Sequence, residues 1–281
     1  MCEQSTPLSG SVFCCPVCGA ALTRKDRSLR CTAGHSFDLA KEGYVNLLPA
    51  NYRHSASPGD DREMVAARTK FLDGGWYAPL REKLCALAER VSGPAPVLLD
   101  AGCGEGYYTA ALCETEQRLG GRTAGVDLSK AAARKAAKRC PSAEIAVSSV
   151  YRLPIPAASV DLLINCFSPL ATGEFARVLK PGGHFLYVVP GPKHLWELKS
   201  ILYDEPYENE EKREAYPGFH LMEVEPVEIS FTLRDAESIQ ALFHMTPYTW
   251  KTPKHGAERL AERNELTVTA QFRIHEYRRE R

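Results

Sequence analysis

Four residues near the N-terminus have the types and spacing of a metal site. In FCCPVCGAALTRKDRSLRCTAGH, residues 13–35, Cys15 and Cys18 are two residues apart, Cys31 follows after twelve, and His35 after three more. Tetrahedral zinc takes four thiolate or imidazole ligands, and two close pairs on turns supply them at little loop-closure cost. Pro16, Gly19 and Gly34 provide the turn chemistry. Cys14 competes with Cys15 for the first position; the proline after Cys15 and the gap to Cys18 favour Cys15. With all four positions taken by protein the ion is expected to be structural, because a catalytic zinc keeps one position open. Arg24, Lys25, Arg27 and Arg30 fall between the ligand pairs, where they could touch phosphates or simply form a solvated loop.

A second constellation starts at Val97, in VLLDAGCGEGYYTAAL. A short apolar strand, a glycine-rich turn and a helix opening near Tyr107 follow in the order that builds a ligand crevice in open α/β sheets. Gly102, Gly104 and Gly106 remove side chains where a cofactor would lie against the backbone. Downstream, GRTAGVDLS reads as a strand ending at Asp127, about 20 residues on, where a carboxylate can accept both hydroxyls of a ribose. A dinucleotide site wants Gly or Ala in the last slot of G-x-G-x-x-G, and Tyr107 fills it here. Asp100 and Glu105 would repel a pyrophosphate, whereas they suit a cofactor carrying a sulfonium and an ammonium. The form D-x-G-C-G-x-G resembles the first motif of the class I S-adenosylmethionine methyltransferases.

The elements that must position these groups are legible around them. YVNLL (Tyr44 to Leu48) ends the N-terminal module, and PANYRHSASPGDD reads as a linker. Asp60 or Asp61 can cap a helix through EMVAARTKFL; Gly74 and Gly75 separate it from a second helix from about Tyr77, with Leu80, Leu84, Leu87 and Val91 at helical intervals. Further on, Val160 to Cys166 reads as a strand, and RVLKPGGHFLYVVP as a helix stop, a turn at Gly182–Gly183 and a strand. Alternating strands and helices predict a doubly wound, mostly parallel sheet. The expected boundaries are 1–48 for the zinc-binding ribbon, 49–92 for the linker and lead-in helices, and 93–281 for the crevice-bearing domain.

Composition narrows the function classes. The 281 residues are 44% apolar and 25% charged, as in globular proteins, and Lys plus Arg balance Asp plus Glu at 35 each. Zero net charge excludes a whole-molecule basic field, so any nucleic-acid contact must be local. No leader-like start and no apolar run of about 20 residues is visible, which predicts a cytoplasmic protein without a membrane span. The ten cysteines then read as thiols or metal ligands rather than a disulfide framework.

CPVC followed by C-x3-H, FDLAKEGYVNLLP, DAGCGEGYYT and PGPKHLWELK together resemble the bacterial 23S ribosomal RNA (guanine-N1)-methyltransferases, and the similarity runs over nearly the whole chain. The resemblance implies a class I S-adenosylmethionine-dependent fold with a mostly parallel seven-stranded sheet behind a small zinc ribbon. It implies structural zinc on Cys15, Cys18, Cys31 and His35, and cofactor contacts from Tyr77, Gly104, Glu105 and His194. It also implies methylation of ring nitrogen 1 of a guanine in a hairpin loop of 23S rRNA, and a homodimer whose ribbons grip the RNA. GEGYYT is similar to the housekeeping branch, acting at a position of the 745 type; the branch acting on the neighbouring guanine 748 confers macrolide resistance.

Tyr107, Tyr108, Phe167 and Tyr187 sit near strand ends and could stack on a splayed base, although core packing is the commoner fate of such rings. Phe167 leads, because NCFSP (Asn165 to Pro169) lies where nitrogen methyltransferases present their substrate. No general base can be chosen from the sequence: Glu105 and Asp127 are expected on the cofactor, Asp161 lies within a strand, and His194 reads equally as a positioning ring. The acidic segment YDEPYENEEKREAYPG reads as a mobile surface excursion, and Arg273, Arg278, Arg279 and Arg281 as a basic, RNA-facing sheet edge or a solvated terminal strand. Two other functions fit less well: a small-molecule, quinone-type methyltransferase, against which the zinc module argues, and an inactive RNA-binding adaptor, against which the intact glycine turn and Asp127 argue.

Overall fold

The computed structural model describes residues 10–49, 59–211 and 215–281; most of the expected linker, and the centre of the acidic segment, lie outside them. Four short strands, β1 (Gly10–Cys14), β2 (Ala21–Lys25), β3 (Ser28–Arg30) and β4 (Ser36–Asp38), form an antiparallel ribbon in sequence order. The next strand, β5 (Val45–Asn46), leaves that ribbon and joins the large sheet. Helix α1 (Arg62–Asp73) is capped by Asp61, whose carboxylate accepts from Met64 N at 2.8 Å, and α2 (Ala78–Val91) buries Leu80, Leu84 and Leu87 as its periodicity requires.

The crevice-bearing domain then runs β6 (Val97–Ala101), α3 (Tyr107–Arg118), β7 (Arg122–Asp127), α4 (Lys130–Arg139), β8 (Glu144–Val147), β9 (Val160–Cys166), α5 (Thr172–Val178), β10 (Leu179–Pro190), α6 (Trp196–Leu202), β11 (Phe219–Leu233), α7 (Ala236–His244), α8 (Lys254–Ala261) and β12 (Leu266–Arg279). The strand order is β11-β12-β10-β9-β6-β7-β8-β5. The block from β10 to β5 is parallel, while β12 runs antiparallel to both β10 and β11. Order reverses between β6 and β9, which opens a crevice at their carboxyl ends.

Both faces of this sheet are apolar, so its central strands read as continuous hydrophobic runs. Leu98, Leu162, Ile164, Leu186 and Phe272 face α1–α3 and α6–α8; Leu99, Leu163, Phe185 and Tyr277 face α5 and the ribbon. Ribbon residues Phe13, Leu22 and Leu29 belong to that second core. Polar ties reinforce the contact: Arg122 Nη2 donates to Gly10 O at 2.7 Å and to Glu144 Oε1 at 2.6 Å, and Glu144 also accepts from Val12 N.

Four sequence expectations change. The large sheet has eight strands rather than seven, because the two-residue β5 from the ribbon segment adds to the edge beside β8. Gly182–Gly183 is not a turn between elements but an irregularity inside β10, where the register with β9 shifts between Leu179 and His184. The arginine-bearing C-terminal strand is interior: β11 covers it along its whole length, so it is no RNA-facing edge. Arg273 pairs with Glu211, Arg278 donates to Gly182 O, and Arg279 donates to Leu179 O. The described start of the acidic segment is tied down rather than free. Lys199 Nζ donates to Tyr207 O at 3.0 Å and Asn209 Oδ1 at 2.9 Å, and Asn209 Nδ2 donates to Gly191 O at 2.7 Å.

Candidate active site and metal centre

In the ribbon, Gly19 N donates to Cys15 O and Gly34 N to Cys31 O, closing two turns through glycines with φ of +76° and +86°. These turns bring Cys15, Cys18, Cys31 and His35 together, their ligand atoms all within 4.8 Å of one another. Cys18 and Cys31 sulfurs are 3.7 Å apart, and His35 Nδ1 lies 3.5 Å from Cys15 Sγ and 3.3 Å from Cys31 Sγ. A tetrahedron built on Zn–S of about 2.3 Å and Zn–N of about 2.0 Å has edges of about 3.8 Å between sulfurs and about 3.5 Å between sulfur and nitrogen. The donor set therefore has zinc dimensions with no atom moved far. Cys14 lies outside the cluster, its N–H donating to Pro154 O at 2.8 Å.

At the other site, β6 delivers Asp100 and β7 delivers Asp127 to the same crevice. Asp127 organises the glycine turn: its Oδ2 accepts from Gly104 N at 2.9 Å and its Oδ1 from Ser129 N at 2.7 Å. Two of the glycines are required by space as well as by backbone. Gly102, at φ +91°, would carry its Cβ 2.0 Å from Ser168 Oγ; Gly106, at φ +86° and the N-cap of α3, would carry it 2.8 Å from Ala136 Cα of α4. Gly104, at φ +55°, is required by its backbone alone, since a Cβ there would make only an ordinary contact with Arg68 Nη1 at 3.7 Å.

Asp100 and Glu105 are almost fully buried. Asp100 Oδ2 accepts from Thr109 Oγ1 at 2.6 Å, whereas its Oδ1, and Oε1 of Glu105, are buried without a hydrogen-bond partner. Burial pushes the Asp100 carboxyl up to about 7; the Thr109 bond opposes this, and Asp127 and Glu105 add repulsion. Burial also raises Glu105, against the pull of a backbone hydrogen bond, Arg68 and Arg139, and raises Asp127, against its two backbone hydrogen bonds. Orphaned acceptors in a crevice rich in carboxylates fit a ligand that brings positive charge and N–H donors, as S-adenosylmethionine does.

His194 follows β10 at the crevice. Its Nδ1 lies 2.8 Å from Gln271 O, and its ring packs 4.8 Å from Phe272. A carbonyl only accepts, so Nδ1 carries the hydrogen and Nε2 keeps a lone pair. Burial lowers the imidazole to about 4, partly offset by the Gln271 bond. Tyr77 caps α2, its ring edge-on to Phe71 and Phe272 at 5.0 and 4.9 Å, with a buried hydroxyl that has no partner. Its ring and that of His194 thus both pack on Phe272.

Of the expected stacking rings, Tyr107 and Tyr108 are buried and Tyr187 is half-buried against Phe185 and His275. Phe167 differs: it is 47% exposed, held at φ +54°, and sits 5.6 Å from Phe272 and 6.5 Å from Tyr108. A bulky residue in the left-handed region is strained, and such strain concentrates at binding sites. The sequence marks Asn165 only as the start of the NCFSP segment, whereas the structure gives its side chain specific partners. Its Nδ2 ties β9 to Ala101 O at 2.9 Å and to Pro169 O at 3.3 Å, and its buried Oδ1 is unpartnered.

Residues 13–56 match the zinc-ribbon family model described as RlmA, N-terminal, and residues 99–187 match a methyltransferase domain model. The chain is 36% identical to a 23S rRNA (guanine(748)-N(1))-methyltransferase of Streptomyces fradiae, over 92% of this chain and 95% of that protein. The chain belongs to the 23S rRNA (guanine-N1)-methyltransferase family. Identity to a putative 23S rRNA (guanine-N(1)-)-methyltransferase of Micromonospora griseorubida is 35% over 94% and 96% of the two chains; for one of Bacillus subtilis it is 34% over 94% and 96%. The Cys3His cluster lies within the zinc-ribbon match, and the glycine-turn crevice within the domain that matches a methyltransferase. No helix among the described residues is long and apolar enough to cross a membrane.

Proposed function

We propose that this protein transfers the methyl group of S-adenosylmethionine to N1 of a guanine in a hairpin loop of 23S rRNA, at the position of the 745 type. The observation that carries the reaction is that ribbon and methyltransferase domain match together, over almost their whole length, proteins named for guanine-N1 methylation of 23S rRNA; the 745-type position is proposed from the resemblance of GEGYYT to the housekeeping branch, whereas the Streptomyces fradiae relative is named for guanine 748. The cofactor supplies an electrophilic methyl on a sulfonium, so catalysis asks mainly for alignment with the acceptor nitrogen.

Asp100, Gly102, Gly104, Glu105, Gly106, Asp127, Tyr77 and His194 are proposed to hold the cofactor. Asp127 serves its ribose; Asp100 and Glu105 face its cationic end; the neutral His194 offers Nε2 as a hydrogen-bond acceptor. A ring held near 4 is a poor store for the guanine N1 proton, so His194 acts here by orientation. Phe167 provides the exposed face on which the target base stacks, outside the helical stack where its N1 edge is reachable. Zinc on Cys15, Cys18, Cys31 and His35 keeps the ribbon folded, with Arg24, Lys25, Arg27 and Arg30 exposed for phosphates.

The proposal divides the chain into ribbon (1–48), lead-in (49–92) and transferase (93–281), working in the cytoplasm as a homodimer that light scattering of the purified protein would reveal. Primer extension tests the target: after incubation of unmodified 23S rRNA with protein and cofactor, reverse transcription should halt at one loop guanine of the 745 type. A halt at guanine 748 instead would reassign the position; a halt at neither would refute the reading.

A further inference from the structure

S-adenosylmethionine carries two cationic centres and one carboxylate. Asp100 and Glu105 answer the cations, but the cofactor's own carboxylate would meet repulsion from these acids and from nearby Asp127 unless a cation stood beside it. Two guanidinium groups bear on Glu105, those of Arg68 and Arg139. Arg139 is committed elsewhere: it donates to Asp73 Oδ1 at 2.8 Å and lies over the Tyr107 ring, 5.9 Å from its centroid. Arg68, on α1, reaches over the glycine turn. Its Nη1 stands 3.7 Å from the place of a Cβ on Gly104, and its charge opposes the rise that burial imposes on Glu105 and Asp127.

A carboxylate already sits on this arginine. Asp60 Oδ2 is 2.6 Å from Arg68 Nη2, in a pair whose side chains are 24% exposed on Arg68 and 37% on Asp60. The backbone around Asp60 is pinned to the turn after β7: Ser129 Oγ donates to Asp60 O at 2.7 Å, and a Cβ on Gly59 would stand 2.7 Å from Ser129 N. Helix α1 is tied further along to α4 by Lys135 Nζ, which donates to Thr69 Oγ1 at 2.8 Å. A guanidinium fork that recognises carboxylates is thus held at the rim of the cofactor turn by a partner that bonds it from the protein itself.

We propose that Arg68 binds the methionyl carboxylate of the cofactor and that Asp60 is an internal stand-in which this carboxylate displaces. The proposal rests on the S-adenosylmethionine reading above and adds to it a residue and a specificity: the site selects the intact amino-acid end of the cofactor. Two ligands differing only in that group, S-adenosylmethionine and its decarboxylated form, isolate the interaction because both keep the sulfonium and the ammonium.

The test is calorimetric titration of each ligand into the zinc-loaded full-length protein. Wild type should prefer S-adenosylmethionine. Arg68→Ala should lose about 10- to 100-fold in affinity for it, the scale of one charge-assisted hydrogen-bonded pair, and little for the decarboxylated form. Retained binding of the decarboxylated form also shows that the variant is folded. Arg68→Lys should recover part of the loss, and Asp60→Asn, which weakens the competitor, should tighten S-adenosylmethionine alone. Equal weakening of both ligands by Arg68→Ala, or selective loss in Asp60→Asn, would overturn the assignment while leaving the cofactor reading intact. A wild-type protein that binds neither ligand would remove the cofactor reading and the assignment with it.

Discussion

Asp100 sets the electrostatics of the crevice because it is buried beside other acids with one oxygen unpaired. Its carboxyl rises from an ordinary 3.8 to about 7 in the folded protein. The folded state therefore binds more protons than the unfolded one between these values, so this group's contribution to stability is complete below about pH 4 and is lost as pH rises through about 7. A cationic ligand favours the ionised carboxylate and reverses that trend. Cofactor affinity should increase as pH rises from 5.5 to 7.5 while the melting temperature of the free protein falls, and Asp100→Asn should flatten both slopes; titration calorimetry and thermal melts check this. Phe167 makes a second, separable prediction. Removing its ring should cost RNA methylation about 5- to 100-fold in kcat/KM, the scale of one stacked base, with cofactor affinity unchanged. Phe167→Tyr should retain activity, and an Ala variant of full activity would deny the stacking role.

Elements explain why some of this was legible in the sequence and some was not. The zinc ligands could be read because each knuckle closes within five residues through a glycine, and Asp100 and Asp127 because they end apolar strands. Partners that meet only through the sheet left no local signal. Asn165 meets Ala101 across 64 positions and His194 meets Gln271 across 77. Arg68 has no motif of its own; it points at the glycine turn because α1 is docked on the loop after β7. The C-terminal arginines misled for a related reason, since alternation along a strand reads the same at an edge as in the interior, and only the order β11-β12-β10 separates the two. Stripping the metal should release one zinc per chain and unfold residues of the ribbon first, because so short a sheet has little core of its own. Circular dichroism and a chromogenic zinc assay should register both together, with RNA binding lost and cofactor binding kept; loss of zinc without any change in RNA binding would contradict the ribbon's role.

At the scale of the whole molecule, ribbon and transferase share a core. Phe13, Leu22 and Leu29 pack with Leu99, Leu163 and Phe185, and β5 extends the sheet that holds the cofactor turn. On the proposed function, a ribbon seated this way would hold RNA at a fixed distance from Asp100 and Phe167, which suits an enzyme whose chemistry needs alignment more than acid or base strength. The balance of 35 basic and 35 acidic residues agrees, since grip then comes from placed side chains rather than a general field. Nucleoside mass analysis of unmodified 23S rRNA, digested after incubation with the zinc-loaded protein and S-adenosylmethionine, tests the central claim most directly. One 1-methylguanosine per RNA molecule is the predicted yield, while RNA that stays unmethylated although the protein binds both it and the cofactor would contradict the claim.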